Sequence, residues 1–201
     1  LSKNKTKIIK KKNNSFLRSY AIEKILRSIN PKTRIVSTTG YTSRELNQIR
    51  KNKQIKNGKD FYMVGGMGHT SMIGLASSIF SKKEILCLDG DGAVLMHLGA
   101  LALNGNFANK NFKHIIFNNS AHESVGGQKT LGDKINLKKI CLGLNYKNYY
   151  FSNSQTSFNN NLKKFLNSKG PSLFEIKISL GSPKNLTRPK NLIQIKNKFK
   201  I

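Results

Sequence analysis

Apolar positions along this chain fall into two kinds of run, and their alternation predicts its architecture. Phe16, Leu17, Tyr20, Ile22, Ile25, Leu26 and Ile29 recur at helical spacing and stop at Asn30-Pro31, predicting a helix packed on one face. Shorter segments read as strands: the apolar run 85–88 as a buried one, then 33–37, 61–64, 114–117 and 173–178, with 146–151 a further candidate. Between them lie helical segments. One is capped by Ser43 and runs to about Lys51, one opens at His69 and passes through Ile73, Leu75 and Ile79, and one spans 93–106. Two more follow at 137–142 and 154–168. Strands alternating with helices predict an α/β fold, a doubly wound, mostly parallel sheet with helices on both faces.

Two helices carry more detail. Gly74, Ala76, Ser77 and Ser78 keep one side of the third helix small, as close packing on a strand requires. The 93–106 segment is apolar almost all round (Val94, Leu95, Met96, Leu98, Leu101, Leu103), the pattern of a helix buried between layers.

Length and charge refine this picture. The 201 residues suit one domain, read as a basic linker or arm over 1–14, a ligand-binding domain over 15–180, and a Lys- and Pro-containing tail over 181–201. Lys and Arg number 36 against 9 Asp and Glu, a net charge of +27 that raises nucleic acid as a partner. The cations are nearly all lysines scattered among Asn and Ile, without interleaved aromatics, which argues against specific nucleic-acid recognition and for a surface that attracts small anions. No apolar run reaches membrane-spanning length, the first residues lack the core of a signal peptide, and Cys87 and Cys141 fit no metal or redox spacing. The expected setting is the cytoplasm, with no membrane partner.

The chemistry gathers at the predicted strand ends. The 85–88 strand runs into Asp89-Gly90-Asp91-Gly92, where glycines admit a ligand and Asp91 offers a hard oxygen. After 25 residues (93–117), room for one crossover helix, the next strand ends in Asn118-Asn119-Ser120. A helix starting at Gly90-Asp91-Gly92 points N–H groups at an anion, so a phosphate with Mg²⁺ suits both halves. Further loops, 38–43 and Gly65-Gly66-Met67-Gly68-His69, belong to the same sheet edge.

Gly-Asp-Gly followed at this distance by Asn-Asn resembles the diphosphate-binding domain of thiamine diphosphate enzymes. Residues 38–46, 66–69, 87–92, 118–128 and 180–183 together resemble the phosphonopyruvate decarboxylases most, with the sulfopyruvate decarboxylases next. The resemblance spans roughly residues 15–190. It departs at Ser120, where glycine is usual, and in the Lys/Asn-rich stretch 184–189. It implies the thiamine diphosphate-binding fold and a cofactor pair of thiamine diphosphate and Mg²⁺. Asp91, Asn119 and the Ala121 carbonyl would ligate the metal. Gly90 and Gly92 would flank the diphosphate, and Thr42 and Ser43 would bond it, although a serine there is also an ordinary helix cap. Gly65 would accept from the aminopyrimidine, and Met67 would wedge against it, although a methionine is often simply core.

The reaction so implied is decarboxylation of an anionic 2-oxo acid, with the cofactor as electron sink and the protein supplying orientation and proton transfer. His122, His69 and, less strongly, Glu123 lie on the loops that face it. His97 and His114 read as core or surface histidines, and Arg44 as a helix surface residue rather than a phosphonate ligand. These enzymes also need a glutamate from a separate pyrimidine-binding domain, and nothing in this sequence provides one. The expectation is a fragment of a longer decarboxylase, or one subunit of an oligomer with interfacial active sites.

Overall fold

A computed structural model describes residues 16–199, so the arm read at 1–14 lies outside the described residues. Six parallel strands form one sheet in the order β2-β1-β3-β4-β6-β5. They are β1 (Arg34–Ser37), β2 (Lys59–Tyr62), β3 (Ile85–Gly90), β4 (Phe112–Asn118), β5 (Asn148–Ser152) and β6 (Ser172–Lys177). Neighbours in each apolar run point to opposite faces, because side chains alternate across a strand. Ile35, Leu86, Leu88, Ile115, Phe117 and Phe174 enter one core, while Val36, Ile85, Cys87, Ile116 and Leu173 enter the other. A strand buried on both faces favours an unbroken apolar run, which β3 shows at residues 85–88 and β4 at 115–117, while Lys113 and His114 of β4 are buried beside Glu84 and Asp89.

The first core is covered by α1 (Arg18–Ser28), α2 (Tyr41–Lys53) and α7 (Gln155–Asn167), the last opened by a reciprocal Ser154/Ser157 capping box. The second is covered by α3 (Thr70–Phe80), α4 (Asp91–Met96), α5 (Ala100–Phe107) and α6 (Leu137–Gly143). The small face of α3 has the expected use. A Cβ on Gly74 would stand 2.1 Å from Cys87 Sγ and 3.1 Å from the Phe112 ring, so the helix backbone rests directly on side chains of β3 and β4 there. Both cysteines are buried and free, and burial pushes their thiols up, Cys141 to about 11.

Three expectations change. The 93–106 segment is two helices broken at residues 97–99. Ala93 and Val94 of the first are buried, but only the Leu101/Asn104/Gly105 side of the second is, where a Cβ on Gly105 would meet the Leu144 carbonyl, and Met96 and Leu103 face outward. Ser43 does not cap α2, whose N-cap is Gly40 at φ +87°. The segment after 181 carries a further helix, α8 (Leu192–Phe199), because Phe199 finds a buried place against Phe61 of β2, ring centres 5.5 Å apart. Among the described residues, no helix is long and apolar enough to cross a membrane.

Candidate active site

After β1 the chain runs outward to β2, then returns past β1 to β3 on its other side. That reversal parts the loops at the carboxyl ends of β1 and β3 and opens a crevice, the usual ligand position in such sheets. A small cavity of about 60 Å³ lies there. Thr42, Met67, Gly90, Asp91, Gly92, Asn119, Ala121, His122 and Glu123 line it, drawn from the ends of four strands.

Asp91 is the first residue of α4, and its carboxylate is buried. It accepts from the Thr130 hydroxyl and from the Asn119 backbone N–H. Burial raises its pKa, opposed by those two bonds and, more weakly, by Lys177. Lys177 is not in contact with it, since its Nζ sits 2.9 Å from the Gly132 carbonyl and 3.7 Å from Glu175. A buried carboxylate held only by neutral donors is suited to a bound cation. Across the crevice, Asn119 Oδ1 accepts from Ala121 N–H at 3.1 Å. The bridge pairing Ala121 with Lys129 uses Thr130 N to Ser120 O and His122 N to Gln128 O, so the Ala121 carbonyl stays out of that ladder. One carboxylate, one amide oxygen and one carbonyl form a hard oxygen set that fits Mg²⁺. Open space at Gly90, where a Cβ would touch nothing within 4 Å, leaves room beside it for an anion. Among the described residues no three His, Cys, Asp or Glu side chains converge, so the set has no soft or imidazole ligands.

The two asparagines divide their work. Asn118 is fully buried; its Nδ2 donates to the Gly132 carbonyl and to Glu175 Oε1, each at 2.7 Å, and its Oδ1 receives Ser120 N–H at 3.2 Å. It therefore braces the loop from which Asn119 reaches the cavity. Ser120 sits at φ +56°, in the left-handed region that favours glycine, which is the physical reason glycine suits this position.

His122 has its ring over Gly92: a Cβ there would lie 2.4 Å from Cε1 and 2.7 Å from Nδ1. His69, Gly65 and Ser43 do not line the cavity. The His69 ring is exposed and packs on His97, centres 4.1 Å apart, so His97 pairs with a neighbouring loop instead of entering the core. Gly65 lies at φ +74° in the turn leading to Met67. Ser43 is buried and its hydroxyl donates to the Ser37 and Thr38 carbonyls, which ties α2 to the end of β1. Glu123 is engaged on every side. Its Oε2 receives Arg18 Nη2 at 2.6 Å and Asn119 Nδ2 at 3.1 Å, and its Oε1 receives Gly181 N–H at 2.6 Å.

Several site residues escaped the sequence reading. Arg18 lines the cavity and is buried, its Nε 3.5 Å from Glu45 Oε1. Burial raises the Glu45 pKa, and Arg18 works against that rise. A signal existed: acidic residues are scarce, and Glu45 falls beside Thr42 and Leu46 on the buried side of α2. Thr130 and Gly132 gave none, because their place beside Asp91 depends on how the 118–133 loop folds back.

Comparison with known proteins agrees with this geometry. Residues 38–176 match the family model of the thiamine pyrophosphate enzyme, C-terminal TPP binding domain. A phosphonopyruvate decarboxylase of Streptomyces viridochromogenes is 35% identical over 170 residues, covering 85% of this chain and 42% of that protein. The sulfopyruvate decarboxylase subunit beta of Methanocaldococcus jannaschii is 38% identical over 123 residues, 61% of this chain and 63% of the subunit. The chain thus spans about two fifths of the phosphonopyruvate decarboxylase it matches. In structure it resembles the thiamine diphosphate-dependent 4-hydroxybenzoylformate decarboxylase of Rhodococcus jostii RHA1, with a TM-score of 0.67 at 15% identity, over 91% of this chain and 36% of that one; the likeness concerns the fold alone. A matched domain, a sheet of the same kind and a hard oxygen set at its switch point give one conclusion: the chain belongs to the thiamine pyrophosphate enzymes and comprises their C-terminal TPP-binding domain.

Proposed function

We propose that this chain supplies the diphosphate-binding half of an active site that decarboxylates 3-phosphonopyruvate to phosphonoacetaldehyde and carbon dioxide, using thiamine diphosphate and Mg²⁺. The observation that carries the reading is the meeting of Asp91, Asn119 and Ala121 around one buried carboxylate at the ends of β3 and β4. These residues would hold the metal, and Gly90 and Gly92 would let the diphosphate reach the first turn of α4. When bound, the cofactor supplies the electron sink that lets carbon dioxide leave a 2-oxo acid. The chain's own part is to orient, shield and move a proton. Met67 forms an apolar wall of the cavity, and His122 lines it as the candidate to deliver a proton from its ring to the carbon that lost the carboxylate. His69 is a weaker candidate, because its ring turns out of the cavity toward His97.

The cavity also supports a partner. About 60 Å³ falls well short of the roughly 300–1,000 Å³ of a typical ligand site, so a second surface has to enclose a coenzyme. We assign that surface to a pyrimidine-binding domain or subunit, which would also bring the activating glutamate. Ile79 and Phe80 of α3, with Met96, Leu103 and Phe107 on and beside α5, expose apolar side chains that suit an interface. Free buried thiols fit a cytoplasmic setting.

Sulfopyruvate is the second substrate reading, favoured by the 38% identity to a beta subunit over 63% of that subunit. Calorimetric titration tests the cofactor: Asp91→Ala should abolish Mg²⁺-dependent thiamine diphosphate binding, and unchanged affinity would sink the assignment. Carbon dioxide release from each oxo acid, with the pyrimidine-domain partner present, decides the substrate.

A further inference from the structure

We infer that Glu123 is a positioning residue for the metal: its carboxylate fixes the side-chain amide of Asn119 so that Oδ1, not Nδ2, serves the cation. The inference rests on the Mg²⁺ reading above and gives Glu123 a role other than acid or base. The geometry leaves the Asn119 amide one orientation. A carboxylate oxygen can only accept, so the atom 3.1 Å from Glu123 Oε2 must be the Nδ2 donor. The atom 3.1 Å from the Ala121 N–H must be the Oδ1 acceptor. Reversed, the amide would set oxygen against carboxylate and N–H against N–H, and it would offer a donor to the metal.

Glu123 is itself held. Arg18 Nη2 at 2.6 Å and Gly181 N–H at 2.6 Å pin its two oxygens from α1 and from the segment after β6. With the Asn119 bond these ties engage both carboxylate oxygens, and they anchor the ligand loop to two distant parts of the chain. A group so occupied is poorly placed to shuttle protons and well placed to hold one geometry.

The test is a double-mutant cycle read as Mg²⁺ affinity, by titrating Mg²⁺ against thiamine diphosphate on the complete protein. Glu123→Met, which keeps the length and removes both acceptor oxygens, should weaken Mg²⁺ at least tenfold, the usual cost of losing a group that orients a metal ligand. In an Asn119→Asp background the same change should cost less than about twofold, because a carboxylate presents an oxygen in either orientation and leaves no amide to be fixed. Equal losses in both backgrounds would overturn the inference, since Glu123 would then act on the fold and not through Asn119. If Glu123→Met fails to fold by circular dichroism, Glu123→Asp keeps the charge facing Arg18 while drawing its oxygens back by one carbon. It should then show the tenfold loss, and retained affinity would overturn the inference. If Asp91→Ala leaves Mg²⁺ dependence intact, the metal reading itself has failed, which is a separate result.

Discussion

Replacing Gly92 with alanine separates the catalytic role of His122 from the stability of the fold. Gly92 is the second residue of α4 and is not among the glycines with positive φ, so alanine is compatible with the backbone there. Gly→Ala within a helix contributes about 0.5–1 kcal/mol of stability by restricting the unfolded chain. The new methyl would lie 2.4 Å from His122 Cε1, where ordinary contact starts at 3.4 Å, so the ring has to retreat by about 1 Å. Thr130 Cγ2, at 3.2 Å, has to yield only slightly. His122 sits at a loop and its ring can rotate, so the stability gain should mostly survive. A misplacement of about 1 Å costs catalysis on the order of 100-fold, or about 2.7 kcal/mol of barrier. The expected outcome is a melting temperature unchanged or slightly raised, with kcat for carbon dioxide release down roughly 100-fold in the complete, partnered enzyme at saturating thiamine diphosphate and Mg²⁺, so that any weaker cofactor binding at Gly92 does not enter kcat. If Gly92→Ala keeps kcat within about threefold of the parent, His122 is not the proton-transfer group.

Other consequences can be measured directly. A Cβ on Gly132 would lie 2.5 Å from Asp91 Oδ2 and 2.7 Å from Asn118 Oδ1, both buried, so Gly132→Ala should lose Mg²⁺-dependent cofactor binding along with about 1–3 kcal/mol of stability in urea unfolding. Wild-type Mg²⁺ affinity in that variant would contradict the site. Burial raises the Glu45 pKa, so the folded protein binds that proton more tightly than the unfolded chain does. The associated stability is complete below about pH 4.3 and is lost as pH rises through the folded value. Relative to Glu45→Gln, the parent should therefore lose stability from pH 4 to pH 8, and parallel profiles would refute this. Gly74→Ala gains about 1 kcal/mol of helix propensity yet should lose about 1–3 kcal/mol net against Cys87 Sγ. Adding Cys87→Ala should recover most of the loss, and a Gly74→Ala protein more stable than its parent would show that the helix is not in contact.

The two central strands β3 and β4 were legible because burial on both faces favours unbroken apolar runs, and residues 85–88 and 115–117 are such runs. Asp91 and Asn119 were legible as a pair because the 25 residues between their motifs suit a single crossover between neighbouring strands, and β3 and β4 do pair. The same segment misled on its helix. Its composition is apolar all round, but which side is buried depends on where α6 and the Leu144 carbonyl lie, and no local periodicity carries that information.

Local chemistry alone thus determined the sheet class and which oxygen-bearing residues stand at the ends of β3 and β4. Tertiary structure decided how those residues are held. Asn118 braces the loop while Asn119 faces the cavity, Ser43 turns inward, and Glu123 is bound between Arg18 and Gly181 from opposite ends of the described chain. The physical reason is that a residue type fixes what a side chain can donate or accept. Which partner it meets is fixed only when chain segments more than a hundred residues apart, such as Arg18 and Glu123, pack together.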